Sequence, residues 1–126
     1  MARKEIILIG AGGHALSCID VIEQEGTYRI AGLVGTDDQI NTEKIGYKVL
    51  ANDRALQDLS KTYKYAHVTV GQISSPDLRM KIYSQLKELG FELPVIVSPR
   101  AYVSKHAYIA EGTIVMHGAV VNAGAT

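Results

Sequence analysis

The hydrophobic pattern of this chain changes period twice. Ile6-Ile7-Leu8-Ile9 runs without a polar break and stops at Gly10. A short unbroken apolar run bounded by glycine fits a strand covered on both faces, as in a parallel sheet. Beyond the turn Gly10-Ala11-Gly12-Gly13-His14, apolar residues recur at Ala15, Leu16, Ile19 and Ile22. That spacing predicts a helix over 15–25, and Gly26 sits where a helix-terminating glycine belongs. Tyr28 to Val34 reads as a second strand, and a polar loop begins at Gly35. Lys48 to Leu50 is a short strand, and Asn52 or Asp53 caps a short helix through Leu59. Ala66 to Val70 is the third strand, closed by Gly71. Ser75-Pro76-Asp77 supplies a capping hydroxyl, a proline at the first helical position and an acid in the first turn. Leu78, Ile82, Leu86 and Leu89 form the buried stripe of the helix that follows, ended by Gly90, and Leu93 to Val97 is a last strand. Strands alternating with helices predict an α/β fold. Residues 1–96 form a small Rossmann-like parallel sheet with right-handed crossovers.

From Val97 the period becomes six. The blocks open on Val97, Val103, Ile109, Val115 and Val121, and a small residue stands four places later in each: Ala101, Ala107, Thr113, Ala119 and Ala125. Ordinary strands alternate with period two and need hairpin turns. Five hexads in register predict instead the start of a left-handed parallel β-helix over 97–126. The aliphatic points into the prism, the small residue sits at the corner, and three hexads make one coil. Such solenoids bury a continuous core only over about three or more repeats. The expectation is therefore a truncated chain, holding one coil and two-thirds of the next.

Composition narrows the function. Thirteen basic and thirteen acidic residues give no net charge, so nothing favours nucleic acid or an anionic membrane surface as partner. Cys18 is the one cysteine, which excludes an internal disulfide framework and a cysteine-rich zinc site and fits a reducing compartment. No run is long enough for a signal peptide core or a membrane span. A cytoplasmic protein without a metal site is expected.

The candidate chemistry sits in the glycine loop. Gly10-Ala11-Gly12-Gly13-His14-Ala15 follows a strand, opens a helix and satisfies G-x-G-x-x-A. Glycines there allow a tight turn and close backbone approach, and the helix start offers free N–H groups to a phosphate. The alternative is a tight turn that binds nothing. His14 either caps or solvates the helix, or hydrogen-bonds a phosphate or sugar hydroxyl. Asp37 and Asp38 follow the second strand, where an acid could bind a ribose or a base edge. His106 and His117 occupy outward hexad positions and read as solvated. His67 reads as structural, and Cys18 as packing rather than a nucleophile.

The GAGGHA loop, the Asp37-Asp38 pair, the Val70-Gly71 strand end and the hexapeptide helix together resemble the family of the sialic acid O-acetyltransferase NeuD and the sugar N-acetyltransferase PglD. The resemblance implies a nucleotide-linked amino sugar (a UDP-sugar) or a sialic acid (a CMP-sugar) as acceptor, acetyl-CoA as donor, and a homotrimer. Gly12, Gly13 and His14, with Gly10, would meet the phosphates. Asp37 and Asp38 would meet the uridine, and Gly71 would lie beside the nucleotide. The family's catalytic histidine, a general base usually set in Ile-Glu-His, has no match here, so no catalytic residue is assigned. The chain departs from the family at Val34-Gly35-Thr36, where Phe-Leu is usual, and at Gln72, where Asn is common. Two other readings predict different partners. An NAD-binding Rossmann protein, redox or sensor, would rest on the glycine loop alone, and an interaction module would pair through the open coil.

Overall fold

The computed structural model describes residues 3–71 and 77–126. Five strands form the main sheet: β1 (Lys4–Ile9), β2 (Tyr28–Gly35), β3 (Glu43–Lys44), β4 (Tyr47–Asn52) and β5 (Tyr65–Val68). Their order is β3-β4-β2-β1-β5, parallel throughout except for the β3–β4 hairpin. Three helices accompany them: α1 (Gly13–Glu25), the short α2 (Leu56–Leu59) and α3 (Asp77–Glu88).

The unbroken apolar run of β1 is explained by its central position. Ile6 and Leu8 join Ile19, Val21 and Ile22 of α1, while Ile7 and Ile9 join Leu56 of α2 and Leu86 of α3. Each side chain of the run is at most 3% exposed. Complete burial of such a residue is worth about 1.5–3 kcal/mol, so this strand anchors both layers.

The hexads form coils. β6 (Ile96–Val97) pairs in parallel with β8 (Ile114–Val115), and β7 (Tyr102–Val103) with β9 (Val120–Val121). The offset from Val97 to Val115 is 115 − 97 = 18 residues, three hexads to a turn. The corner differs from expectation. Gly112, Gly118 and Gly124, each one place before the small residue, carry the positive φ of 76°, 76° and 82°. The small residue closes the turn: the N–H groups of Ala119 and Ala125 donate to the carbonyls of Met116 and Asn122. Glycine is required there because a type II turn places its third residue at positive φ. In the first coil Arg100 and His106 hold that place, and the serine hydroxyls of Ser98 and Ser104 accept their N–H groups at 2.9 and 3.1 Å. The coil docks on the α1 layer, where Ile114 and Met116 pack around buried Ile96.

Other expectations shift. α1 starts two residues earlier than its apolar spacing indicated, at Gly13, and the short strand near Lys48 grows into β4 through its pairing with β3. Leu93 to Val97 is not a strand of the main sheet. Glu92 makes a single bridge to Tyr65, and only Ile96–Val97 is extended pairing, with the coil. Pro94 lacks the N–H that a ladder needs. Leu86 is buried as the stripe required, but Leu78 is 56% exposed. The helix-start signal at Ser75-Pro76, and Gln72, lie outside the described residues.

Candidate functional site

The parallel strands β1, β2 and β4 end on one side of the sheet, and their carboxyl ends floor a cavity of about 570 Å³. Ligand sites in open α/β sheets form in this position, where loops leave the strand ends in different directions. Ile9, Val34, Val70, Leu78 and Ile82 give the cavity an apolar wall. The exposed Leu78 is thus a wall residue rather than core: the first turn of α3 overhangs the strand ends.

The glycine loop forms one rim. Gly10 has φ of 131°, and a Cβ there would fall 2.6 Å from Val70 N and 2.8 Å from the Thr69 carbonyl carbon. Only glycine fits. The loop is stitched on both sides: Gly10 N–H donates to the Val34 carbonyl at 2.8 Å, and Thr69 Oγ1 donates to the Gly10 carbonyl at 2.9 Å. Gly12 and Gly13 are the opposite case. Among the described residues a Cβ on either meets nothing within 4 Å. Gly12 caps α1 with no side-chain hydrogen bond and no acid stands in the first turn, so the N-terminal N–H groups and the positive end of the helix dipole stay available to an anion.

Of the residues singled out by sequence, Gly10, Gly12, Asp37 and Gly71 line the cavity; Gly13, His14 and Asp38 do not. His14 packs beside Gly71, its Cβ 3.6 Å from where a Cβ on Gly71 would stand, and its buried Nε2 has no hydrogen-bond partner among the described residues. Asp38 accepts from Thr36 Oγ1 at 2.5 Å. Asp37 accepts from Asn52 Nδ2 at 2.5 Å and from Arg54 Nη2 at 2.9 Å. The Asn52 hydrogen bond, then the Arg54 guanidinium, hold its carboxyl below the usual carboxylate range. Asn52, Asp53 and Arg54 also line the cavity, and the sequence reading had assigned none of them a ligand role. The one signal in the sequence is position, since Asn52 or Asp53 reads as a cap just beyond the short strand.

Two histidines need comment. His67 is completely buried, and its pKa is lowered, first by burial. His117 is not the solvated side chain its hexad position suggested. Its Nδ1 lies 2.5 Å from Ser98 Oγ and its Nε2 3.0 Å from Asp20 Oδ2 on α1. The row of acid, imidazole and hydroxyl has the composition of a nucleophilic triad. Ser98 is only 1% exposed, however, and its Oγ already accepts the Arg100 N–H, so the row ties the coil to α1 instead. Cys18 is fully buried, and burial pushes its thiol up to about 11, against nucleophilic use. Among the described residues no group of three His, Cys, Asp or Glu is placed for a metal ion, and no helix is long and apolar enough to cross a membrane.

A family model described as the PglD N-terminal domain matches residues 5–86. No curated protein sequence matches the chain. Among solved structures, a single-site mutant of perosamine N-acetyltransferase from Caulobacter crescentus, in complex with CoA and GDP-perosamine, is 31% identical with a TM-score of 0.84. The match covers 97% of this chain and 56% of that one. The acetyltransferase domain of PglB from Neisseria gonorrhoeae FA1090, in complex with acetyl coenzyme A, is 34% identical with a TM-score of 0.82, covering 98% of this chain and 58% of that one. UDP-D-quinovosamine 4-dehydrogenase from Vibrio fischeri, at 18% identity and a TM-score of 0.62 over 74% of this chain and 80% of its own, shares the fold alone. The chain thus spans little more than half the length of the acetyltransferases it matches.

Proposed function

The chain belongs to the PglD N-terminal domain family, and on that premise we propose that it is the nucleotide-sugar-binding part of an acetyl-CoA-dependent sugar acetyltransferase. Residues 1–96 act as the binding domain and residues 97–126 as the start of the β-helix. The observation that carries this reading is the space left open by the described residues above Gly12, on the rim of a cavity at the parallel strand ends, and above Gly13 beside it at the start of α1. Backbone N–H groups there would take the phosphates, with His14 beside them. Asp37, with Asp38 next in the chain, would take the base or ribose, and Gly71 would border the nucleotide.

The parent enzyme would move the acetyl group from the thioester of acetyl-CoA to an amine or hydroxyl of the sugar, the sulfur leaving as the thiol and the attacking group giving up its proton. The sugar would be destined for a glycan or surface polysaccharide. The chain's own residues bind and orient; none is assigned as the base. A homotrimer fits Tyr102 and Val120, paired across the coil and 61% and 64% exposed, which offer apolar surface for assembly. A cytoplasmic location fits an enzyme supplied with acetyl-CoA and an activated sugar.

Calorimetric titration with UDP-amino sugar, GDP-amino sugar, CMP-sialic acid, acetyl-CoA and NAD tests the proposal. A nucleotide sugar should bind, and Gly13→Val, whose Cβ meets none of the described atoms within 4 Å, should abolish that binding. NAD binding alone would move the chain to the redox or sensor reading, and no binding at all to an interaction module.

A further inference from the structure

Where β2 and β4 leave the sheet at the cavity, three side chains form a network of their own. Asn52 ends β4 opposite Gly35 of β2. Its Nδ2 donates to Asp37 Oδ1, and its Oδ1 accepts the Arg54 backbone N–H at 2.9 Å. Turned over, the amide would set carbonyl against carboxylate and NH₂ against N–H, so its orientation is fixed. Arg54 Nη2 lies 2.9 Å from Asp37 Oδ1 and 3.0 Å from Oδ2. Asp37 therefore faces only donors on this side. A carboxylate offers about four acceptor sites, so Oδ2 retains capacity for a ligand. The Arg54 and Asp37 side chains are 75% and 67% exposed, and an ion pair so exposed adds little stability. Its effect is to orient.

Resting on the nucleotide-sugar reading above, we propose that Asn52 and Arg54 set the base preference of this pocket by holding Asp37 as a fixed, acceptor-only group. Such a group takes a base with an N–H at the centre of its pairing edge and refuses one with a lone pair there. Uracil presents N3–H and guanine N1–H, and each donates to a carboxylate. Cytosine N3 and adenine N1 present lone pairs, which leave two acceptors facing each other. A base-edge contact of this kind discriminates by roughly five- to a hundredfold. The choice of acceptor sugar follows: a uridine or guanosine diphosphate sugar is accepted, and a cytidine-linked one is not. Arg54 and Asn52 are positioning residues here, acting through Asp37.

The test titrates the chain with UDP, CDP, GDP and ADP, comparing within each ring size so that bulk does not enter. UDP should bind at least about fivefold more tightly than CDP, and GDP than ADP. Asp37→Asn, which puts an NH₂ donor in place of an acceptor, should invert the preference towards CDP. Arg54→Ala should draw the UDP-to-CDP ratio towards one while CDP affinity holds. Thermal melting confirms that each variant is folded. Equal binding of UDP and CDP by the parent chain overturns the proposal and leaves the nucleotide site standing. So does an equal loss for all four in Arg54→Ala, which would make Arg54 a phosphate contact. Failure of all four to bind overturns both.

Discussion

Replacing His67 with leucine should flatten the acid sensitivity of this chain. The ring is completely buried on the α1 side of β5, and its pKa is lowered, first by burial and further by the charges of Arg79 and His14. The Thr113 backbone, then the Val68 carbonyl 3.3 Å from Nδ1, oppose the shift, and among the described residues Nε2 has no hydrogen-bond partner. In the folded chain the ring therefore stays neutral at a pH where the unfolded chain's imidazole, with its ordinary pKa of 6.5, takes up a proton. The unfolded state binds more protons in that window, so stability is intact above pH 6.5 and falls as pH drops below it. The steepest slope for one group is about 1.4 kcal/mol per pH unit, which sets a ceiling of about 2 kcal/mol between pH 6.5 and 5. Against a total stability of about 5–15 kcal/mol this is measurable. Leucine has no proton to gain and removes the orphan Nε2, a buried group that costs about 1–3 kcal/mol when unpaired. Urea unfolding at pH 8, 6.5 and 5 should show the parent losing stability relative to His67→Leu as pH falls, with the other three histidines cancelling between the two. Equal losses in both chains would refute the argument, because the depressed titration would then lie elsewhere.

Gly10→Ala should destabilise by about 3 kcal/mol or more, since it forces a Cβ against the Val70 and Thr69 backbone at a positive φ and strains two hydrogen bonds worth about 1 kcal/mol each. Gly12→Ala, in open space, should change the melting temperature little, and comparable losses in the two would contradict the geometry. Cys18 should resist thiol reagents at pH 8 until denaturant is added, because the thiol is fully buried and its pKa is pushed up to about 11; fast labelling of the folded chain would show that α1 opens.

Local pattern carried much of the fold. The two-sided burial of Ile6 to Ile9, the helix closed by Gly26 and the six-residue period all follow from short-range sequence, because the strand, helix and coil periods differ enough to be separated. Leu93 to Val97 failed for the same kind of reason: Leu93 and Ile96 are buried, but apolar burial beside a proline does not state which sheet a segment joins. The cavity was half legible. A glycine loop is a local signal. Asn52 and Arg54 reach Asp37 across 15 and 17 positions, and only the pairing of β2 with β4 brings them together. Leu78 obeyed its helical period, yet the period cannot show that the end of a helix overhangs a cavity.

The tie between His117 and Asp20 spans 97 positions and joins α1 to the coil. Contacts of such long sequence separation gain nothing until the loop between them is closed, which favours forming the local contacts of each layer first. The α/β layers can therefore assemble around β1 first and present α1 as a surface on which the first turn of the coil condenses. Each later turn then inherits its register from the eighteen residues before it, so the α/β unit serves as the nucleus from which the solenoid grows.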